Sequence, residues 1–161
     1  MPRLQPDPLF RAAPSGQQPH SLTPDTLHIH IDGASRGNPG EAGFGVSVAD
    51  PDGAPRAELY GYLGRASNNV AEYQALIHAL RWARAHGARR VRIFSDSELV
   101  VRQVNGQYRV KHPDMIPLHR EATGLLRQFE RADVSHVRRE QNRDADRLAN
   151  RALDEKASKL D

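Results

Sequence analysis

The stretch LHIHIDGASRGNPGEAGFGVSVAD, residues 27–50, decides the fold expected of this chain. Its first part alternates apolar and polar residues up to Asp32, which is the period-two pattern of a half-buried strand. The glycines and the proline of residues 33–43 predict a loop, and residues 44–50 alternate again, as a second strand would. We therefore expect two strands joined by a glycine-rich loop, with Asp32 at the end of the first strand.

Another two strands and a long helix are expected next along the chain. Residues 56–64 fit a third strand, and the short turns between these strands predict an antiparallel meander. Apolar residues at helical spacing predict a long helix over residues 69–86, which Gly87 ends. Residues 89–96 then predict a strand that ends at Asp96 and returns parallel to the first strand.

The remaining segments complete the predicted sheet and its helical cover. They are short helices over residues 97–106 and 117–130, a fifth strand over residues 133–139 and a last helix over residues 142–156. The fold class indicated is α/β, with a five-stranded mixed sheet of three antiparallel strands, then parallel strands, flanked by helices.

The composition excludes several classes of protein. The 161 residues include no cysteine, so any metal ligand must be an oxygen or a histidine. No apolar run is long enough to span a bilayer, and the N-terminus lacks the apolar core of a secretory signal. We expect a cytoplasmic monomer with no membrane partner, a disordered tail over residues 1–26 and a short C-terminal tail over residues 158–161. The net charge of +3 is compatible with a polyanionic partner and equally with ordinary solubility.

Two aspartates are expected to meet at one edge of the sheet. Asp32 and Asp96 each end a predicted strand, and these two strands are predicted to be parallel neighbours. Ligands of open α/β sheets gather beyond the carboxyl ends of such strands. Two carboxylates brought together there repel each other, which favours either protonation or a bound divalent cation with oxygen ligands.

Two further carboxylates lie on helices. Glu72 is predicted to lie in the first turn of the long helix beside the apolar stripe of Val70 and Tyr73, where it can face the sheet. Asp146 lies inside the last helix at the edge of its buried face. Aspartate is unfavourable in a helix interior, so an aspartate at this edge needs a partner, and a metal ion is a candidate.

Each of the four carboxylates also has a local interpretation. Asp96 would cap the following helix, Glu72 would interact with the helix dipole, and Asp32 would serve the glycine-rich turn. Asp146 would pair with polar neighbours on its own helix. These local interpretations are independent of one another, whereas one metal site explains all four positions together.

Four segments of the chain carry a resemblance to a known family. They resemble, in order along the chain, the four motifs of ribonuclease H type 1. The segments are IDGASRGNPG (residues 31–40), SNNVAEYQAL (67–76), IFSDSELV (93–100) and REQNRDADRLAN (139–150). Four motifs in order with compatible spacing are highly specific. Residues 27–157 are accordingly interpreted as a ribonuclease H domain of the ribonuclease H-like fold.

The resemblance implies an endonuclease that hydrolyses the RNA strand of RNA–DNA hybrids and leaves 5′-phosphate and 3′-hydroxyl ends. Its partner would be the hybrid, and its cofactor would be two Mg²⁺ ions per active site, with Mn²⁺ as the alternative. Carried over by motif, the catalytic, metal-binding acids of the family fall on Asp32, Glu72, Asp96 and Asp146. Asp32 would bridge both ions, Asp96 and Glu72 would hold the first ion, and Asp146 would hold the second.

The resemblance also implies residues that bind the hybrid. By motif they fall on Ala34, Ser35, Gly37, Asn38, Arg65, Ser67, Asn68 and Asn69. Backbone groups of the first loop, with Asn68, would read the 2′-hydroxyls that distinguish RNA from DNA. Asn38 and Asn69 would touch the minor groove, and Arg65 with Ser67 would bind a phosphate of the DNA strand.

The chain departs from the family pattern in several places. Residues 104–118 are short and only mildly basic where some members carry a basic, tryptophan-containing protrusion, and no histidine occurs between His136 and Asp146. In both respects the chain resembles a bacterial and archaeal-like subgroup. Glu98 replaces a common glutamine, and Glu140 is a candidate substitute for the missing histidine. Junction resolvases or integrases of the same fold, and a hybrid-binding module with an inactive site, are the alternatives.

Overall fold

The strands form where apolar and polar residues alternate, and the helices form where apolar residues recur every three or four positions. The computed structural model describes residues 25–161, and residues 1–24, nearly all of the predicted 1–26 tail, lie outside the described residues. The strands are β1 (Thr26–Arg36), β2 (Gly40–Ala49), β3 (Pro55–Ala66), β4 (Arg90–Ser95) and β5 (Arg131–His136). The helices are α1 (Asn68–Ala85), α2 (Glu98–Val104), α3 (Ile116–Leu126) and α4 (Arg143–Glu155), with a 3₁₀ turn at Arg139–Gln141.

The five strands form one mixed sheet in the order β3-β2-β1-β4-β5. The strands β1, β2 and β3 pair antiparallel, and β4 lies parallel to both β1 and β5. This arrangement confirms the predicted fold class. The ladder between β1 and β4 pairs Ile31 with Ser95, so Asp32 and Asp96, the next residue of each segment, lie side by side where this pairing ends.

The prediction of a loop over residues 33–43 is wrong. The strand β1 continues to Arg36 and β2 begins at Gly40, so the turn is confined to residues 37–39. Asp32 therefore lies within a strand that continues beyond it, although its pairing with β4 ends there.

Two glycines of this hairpin, Gly33 and Gly45, allow helices to pack closely on it. A Cβ on Gly33 would lie 2.2 Å from the backbone N of Glu72 in α1. A Cβ on Gly45 would lie 2.3 Å from the backbone O of Ala145 in α4. Helix α1 therefore packs directly on the backbone of β1, and α4 on that of β2. This packing brings polar side chains of both helices close to Asp32.

The core fills the space between the sheet and its helices. Its largest fully buried side chains are Leu27, Ile29, Ile31, Phe44, Leu59, Tyr73, Leu76, Ile77, Leu80, Ile93, Leu148 and Leu153. Beyond α4, Lys159 forms a β-bridge with Tyr60, with backbone hydrogen bonds of 2.8 and 2.9 Å, so part of the predicted tail 158–161 pairs with the edge strand β3. Within residues 25–161, no helix combines the length and the apolar character needed to cross a membrane.

Candidate active site

Asp32, Glu72, Asp96 and Asp146 line one cleft, together with Glu140, where the pairing of β1 with β4 ends. The cleft has a volume of about 640 Å³. One carboxylate oxygen from each of Asp32, Glu72 and Asp96 lies within 4.8 Å of the other two. Asp146 falls outside that compact group of three but lines the same cleft. The structure therefore brings together all four carboxylates that the sequence analysis singled out.

Glu72 is buried and held by two hydrogen bonds. The amide of Gly33 donates to Oε1 at 2.8 Å, and the hydroxyl of Ser95 donates to Oε2 at 2.6 Å. Burial raises the pKa of Glu72 to about 7, although the hydrogen bonds from Ser95 and Gly33 lower it. The prediction that Glu72 lies in the first turn of its helix is wrong, because α1 begins at Asn68 and Glu72 starts the second turn. A helix-dipole role does not account for a carboxylate in this position.

The pKa of Asp32 is shifted further than that of Glu72. The Asp32 side chain is buried, and burial raises its pKa far above the ordinary range. The charges of Glu72, Asp96 and Asp146 raise the pKa of Asp32 further. Carboxylates crowded in this way are unfavourable as free anions, and a hard divalent cation with oxygen ligands neutralises them. The donor set therefore fits a metal ion of the magnesium type.

Asp96 does not cap the helix that follows it. The N-cap of α2 is Ser97, whose Oγ accepts a hydrogen bond from the amide of Val100 at 3.3 Å. The amide of Ser97 in turn donates to Ser95 Oγ at 3.0 Å. The local interpretation of Asp96 as a cap is therefore wrong, and its carboxylate is left to face Asp32.

Asp146 lies in the first turn of α4, because this helix begins at Arg143, so the prediction that it lies in the helix interior is wrong. The side-chain amide of Asn150 donates to the backbone O of Asp146 at 3.0 Å and lies 3.5 Å from its Oδ1. Asp146 thus has the partner on its own helix that the local interpretation expects, and it lines the cleft as well.

The residues expected to bind the hybrid divide into two groups. Those that line the cleft are Ala34, Ser35, Asn68 and Asn69. The other four, Gly37, Asn38, Arg65 and Ser67, are not among its lining residues. The two groups are joined, because Asn38 Oδ1 accepts a hydrogen bond from the amide of Asn68 at 3.1 Å.

The expected phosphate-binding pair lies where β3 ends and α1 begins. Ser67 is the N-cap of α1, and its Oγ accepts from the amide of Val70 at 3.1 Å. Arg65 is exposed at the end of β3. A hydroxyl and an exposed guanidinium two residues apart can both donate to one phosphate.

The sequence analysis missed the residues that hold Glu72. Gly33 was interpreted as part of a loop, and Ser95 was not considered. A signal existed for Ser95, because it follows Val91 and Ile93 on the inward face of β4 and is fully buried. His136 is exposed and lines the cleft together with Glu140.

Glu98 takes no part in the acidic cluster. It forms an exposed ion pair with Arg102 at 2.8 Å, one turn along α2. Its position therefore does not support a direct effect of Glu98 on the three clustered carboxylates.

Comparisons of the sequence with known proteins agree with one another. A family model described as reverse transcriptase-like matches residues 30–152. A bifunctional protein of Mycobacterium tuberculosis is 47% identical over 127 residues, which are 78% of this chain and 35% of that protein. Ribonuclease HI of Halobacterium salinarum is 43% identical over 129 residues, which are 80% of this chain and 65% of the relative. The chain thus spans about a third of the mycobacterial relative and 65% of the halobacterial one.

Solved structures resemble this fold closely. The crystal structure of RNase H1 from Halobacterium salinarum gives a TM-score of 0.78 at 42% identity, covering 81% of this chain and 98% of that one. The structure of LC11-RNase H1 in complex with an RNA/DNA hybrid gives a TM-score of 0.77 at 38% identity, again covering 81% of this chain and 98% of that one.

Proposed function

The chain belongs to the ribonuclease H type 1 family, and we propose that it is an endonuclease that hydrolyses the RNA strand of RNA–DNA hybrids. The reaction would use two-metal-ion catalysis and leave 5′-phosphate and 3′-hydroxyl ends. The observation that carries the proposal is the approach of Asp32, Glu72 and Asp96 to within 4.8 Å in a cleft that Asp146 also lines. The relative that was solved with a bound RNA/DNA hybrid supports the choice of substrate.

The four carboxylates would hold the ions. Asp32 would contact both, Glu72 and Asp96 would complete the first site, and Asp146 would complete the second. When bound, two Mg²⁺ ions supply an activated water and neutralise charge on the leaving 3′-oxygen. Mn²⁺ presents the same oxygen-ligand chemistry and is the alternative ion.

The chain's own residues would prepare this site before substrate arrives. Hydrogen bonds from Gly33 and Ser95 fix both oxygens of Glu72, so the carboxylate need not reorganise when an ion binds. Asn68 and the backbone at Ala34 and Ser35 would donate to or accept from 2′-hydroxyls of the RNA strand, which DNA lacks. These groups line the same cleft as the carboxylates, so they would place the RNA strand over the acids.

A cleavage assay on matched substrates tests the proposal. Labelled RNA–DNA hybrid, duplex RNA, duplex DNA and a four-way DNA junction are incubated with the full chain in Mg²⁺ and in EDTA. We expect the hybrid alone to be cut in its RNA strand, only in Mg²⁺, and the variant Asp96→Asn to be inactive. Cleavage of the junction in preference to the hybrid, or activity that survives EDTA, would overturn the proposal. A cytoplasmic location and a monomeric state stay predictions.

A further inference from the structure

Asn142 joins the two chain segments that carry Asp32 and Asp146. Its side-chain Nδ2 donates a hydrogen bond to the backbone O of Ile31 at 2.8 Å, and Ile31 directly precedes Asp32. Its backbone O accepts a hydrogen bond from the amide of Asp146 at 3.1 Å. The residue is 1% exposed. One asparagine is thus bonded to the neighbour of one carboxylate and to the amide of the other.

Stability alone does not explain an asparagine at this position. Within residues 25–161, its Oδ1 is the buried side-chain atom left without a hydrogen-bond partner. Its side chain does not cap α4, although Asn142 is the N-cap residue. A buried acceptor without a partner destabilises a fold, so the contact to Ile31 is the one feature that favours an amide there.

Opposite Asp32, the strand β2 offers no side chain to the first turn of α4. Gly45 lies opposite Asp32 in the β1–β2 ladder and presents only backbone to α4 at Ala145. Helix position is normally fixed by side chains that interlock with the opposing surface. Where a glycine removes the interlocking side chain, a directional hydrogen bond can fix the position of the helix.

We propose that Asn142 is a positioning residue that sets the separation of the Asp32 and Asp146 carboxylates, and with it the cation site between them. This inference rests on the proposed function, since the site matters only if cations bind there. Asn142 touches no substrate and acts through the two aspartates. Loss of its contact to Ile31 frees the first turn of α4, which carries Asp146, to move relative to Asp32.

Mg²⁺ binding by the substrate-free protein tests this role. The measured quantity is the Mg²⁺ concentration that gives half of the maximal rise in Tm. The variants are Asn142→Ala, which removes the amide, and Asn142→Asp, which keeps its shape but removes the donor. The matched control is Asn105→Ala. Asn105 makes the same kind of bond, from Nδ2 to the backbone O of Val134 at 3.0 Å, at the far end of α2.

We expect the half-maximal Mg²⁺ concentration to rise about 10- to 100-fold in Asn142→Ala and to stay at the wild-type value in Asn105→Ala. Asn142→Asp discriminates further, because an added negative charge by itself tightens cation binding. Weaker Mg²⁺ binding by this variant supports positioning. Unchanged or tighter binding by Asn142→Asp, or an unchanged midpoint in a folded Asn142→Ala, overturns it.

A second measurement separates this inference from the proposed function. Hydrogen exchange of the Asp146 amide is followed in metal-free wild type, Asn142→Asp and Asn105→Ala. We expect faster exchange in Asn142→Asp alone, and equal rates in all three would overturn the positioning role. A wild-type protein that neither responds to Mg²⁺ nor cuts hybrid would instead overturn the proposed function, whatever the exchange rates are.

Discussion

The amide of Gly33 donates a hydrogen bond to Oε1 of Glu72 at 2.8 Å, at a place where a Cβ on residue 33 would lie 2.2 Å from the backbone N of Glu72. The same glycine therefore makes room for helix α1 and binds the carboxylate that this helix delivers. A side chain at residue 33 would displace Glu72 and distort this hydrogen bond. The packing of α1 and the position of the Glu72 carboxylate therefore depend on the same contact.

The variant Gly33→Ala should lose both stability and activity. The added methyl group must push α1 away from β1, which costs about 1–3 kcal/mol or more of unfolding free energy. Displacement of Glu72 should lower the cleavage rate by about 100-fold. Urea denaturation and the hybrid cleavage assay measure the two effects.

Gly124→Ala is the matched control, because Gly124 lies inside α3 and a Cβ there would meet nothing within 4 Å. It should gain about 0.5–1 kcal/mol of stability, since alanine is the better helix residue, and cleave at the wild-type rate. A Gly33→Ala protein with wild-type activity would contradict the coupling.

The variant Ser95→Ala should raise the pKa of Glu72 above its present value of about 7. Burial is the main reason for that value, and the hydrogen bond donated by Ser95 opposes it by stabilising the ionised form. Carbon NMR of the Glu72 carboxyl in metal-free protein measures the change. Ser135→Ala is the control, because Ser135 pairs with Phe94 and so points to the other face of the sheet from Ser95. An equal pKa of Glu72 in the two variants would count against the hydrogen bond from Ser95.

Metal-free protein should become less stable as the pH rises from about 4.5 to 7. Burial raises the pKa of Glu72 to about 7 from its usual 4.5, so in this range the folded state binds more protons than the unfolded state. The free energy of unfolding then falls with rising pH, by up to about 3 kcal/mol. The raised pKa of Asp32 should add a further fall over the same range and extend it above pH 7.

Thermal unfolding in EDTA across this pH range measures the effect. Glu72→Gln should make the fall between pH 4.5 and 7 shallower and leave the part due to Asp32, whereas Glu130→Gln, a change at an exposed surface ion pair, should leave the fall as in wild type. Saturating Mg²⁺ should restore stability at pH 7 and above, because bound cations replace the missing protons. A stability that rises with pH in EDTA would show that the carboxylates are not buried together.

The parts of the fold that follow from repeated apolar patterns could be predicted from the sequence. The parallel pairing of β1 with β4, and with it the approach of Asp32 to Asp96, is one such part. The loop over residues 33–43 was predicted wrongly because glycines that admit a helix and glycines that make a turn look alike in a sequence. Only the position of α1 reveals that Gly33 belongs to a strand.

The supporting residues of the site were harder to predict than its acids. Ser95 and Asn142 act through single hydrogen bonds to partners 23 and 111 residues away. No local pattern marks such a contact, because it depends on the packing of separate elements. The start of α1 at Asn68, one residue before the predicted start, likewise places Glu72 in the second turn instead of the first.

Arg65 should contribute to hybrid binding through charge alone. Arg65→Ala should weaken binding and lower the slope of log affinity against log salt concentration by about one unit. Arg84→Ala, which removes an exposed arginine from the opposite end of α1, is the matched control and should leave the slope unchanged. Binding measured at several salt concentrations with inactive Asp96→Asn backgrounds decides between them. Equal slopes for the two variants would remove Arg65 from the binding surface.

The most direct test of the shared cation site is the anomalous diffraction of Mn²⁺ soaked into crystals of the protein. The account predicts strong peaks inside the cleft, with an oxygen of Asp32 among the ligands of every ion found there and with Glu72 and Asp96 completing the first site. A cleft without Mn²⁺ at saturating concentration, or an ion held by Asp146 in which Asp32 takes no part, would contradict it.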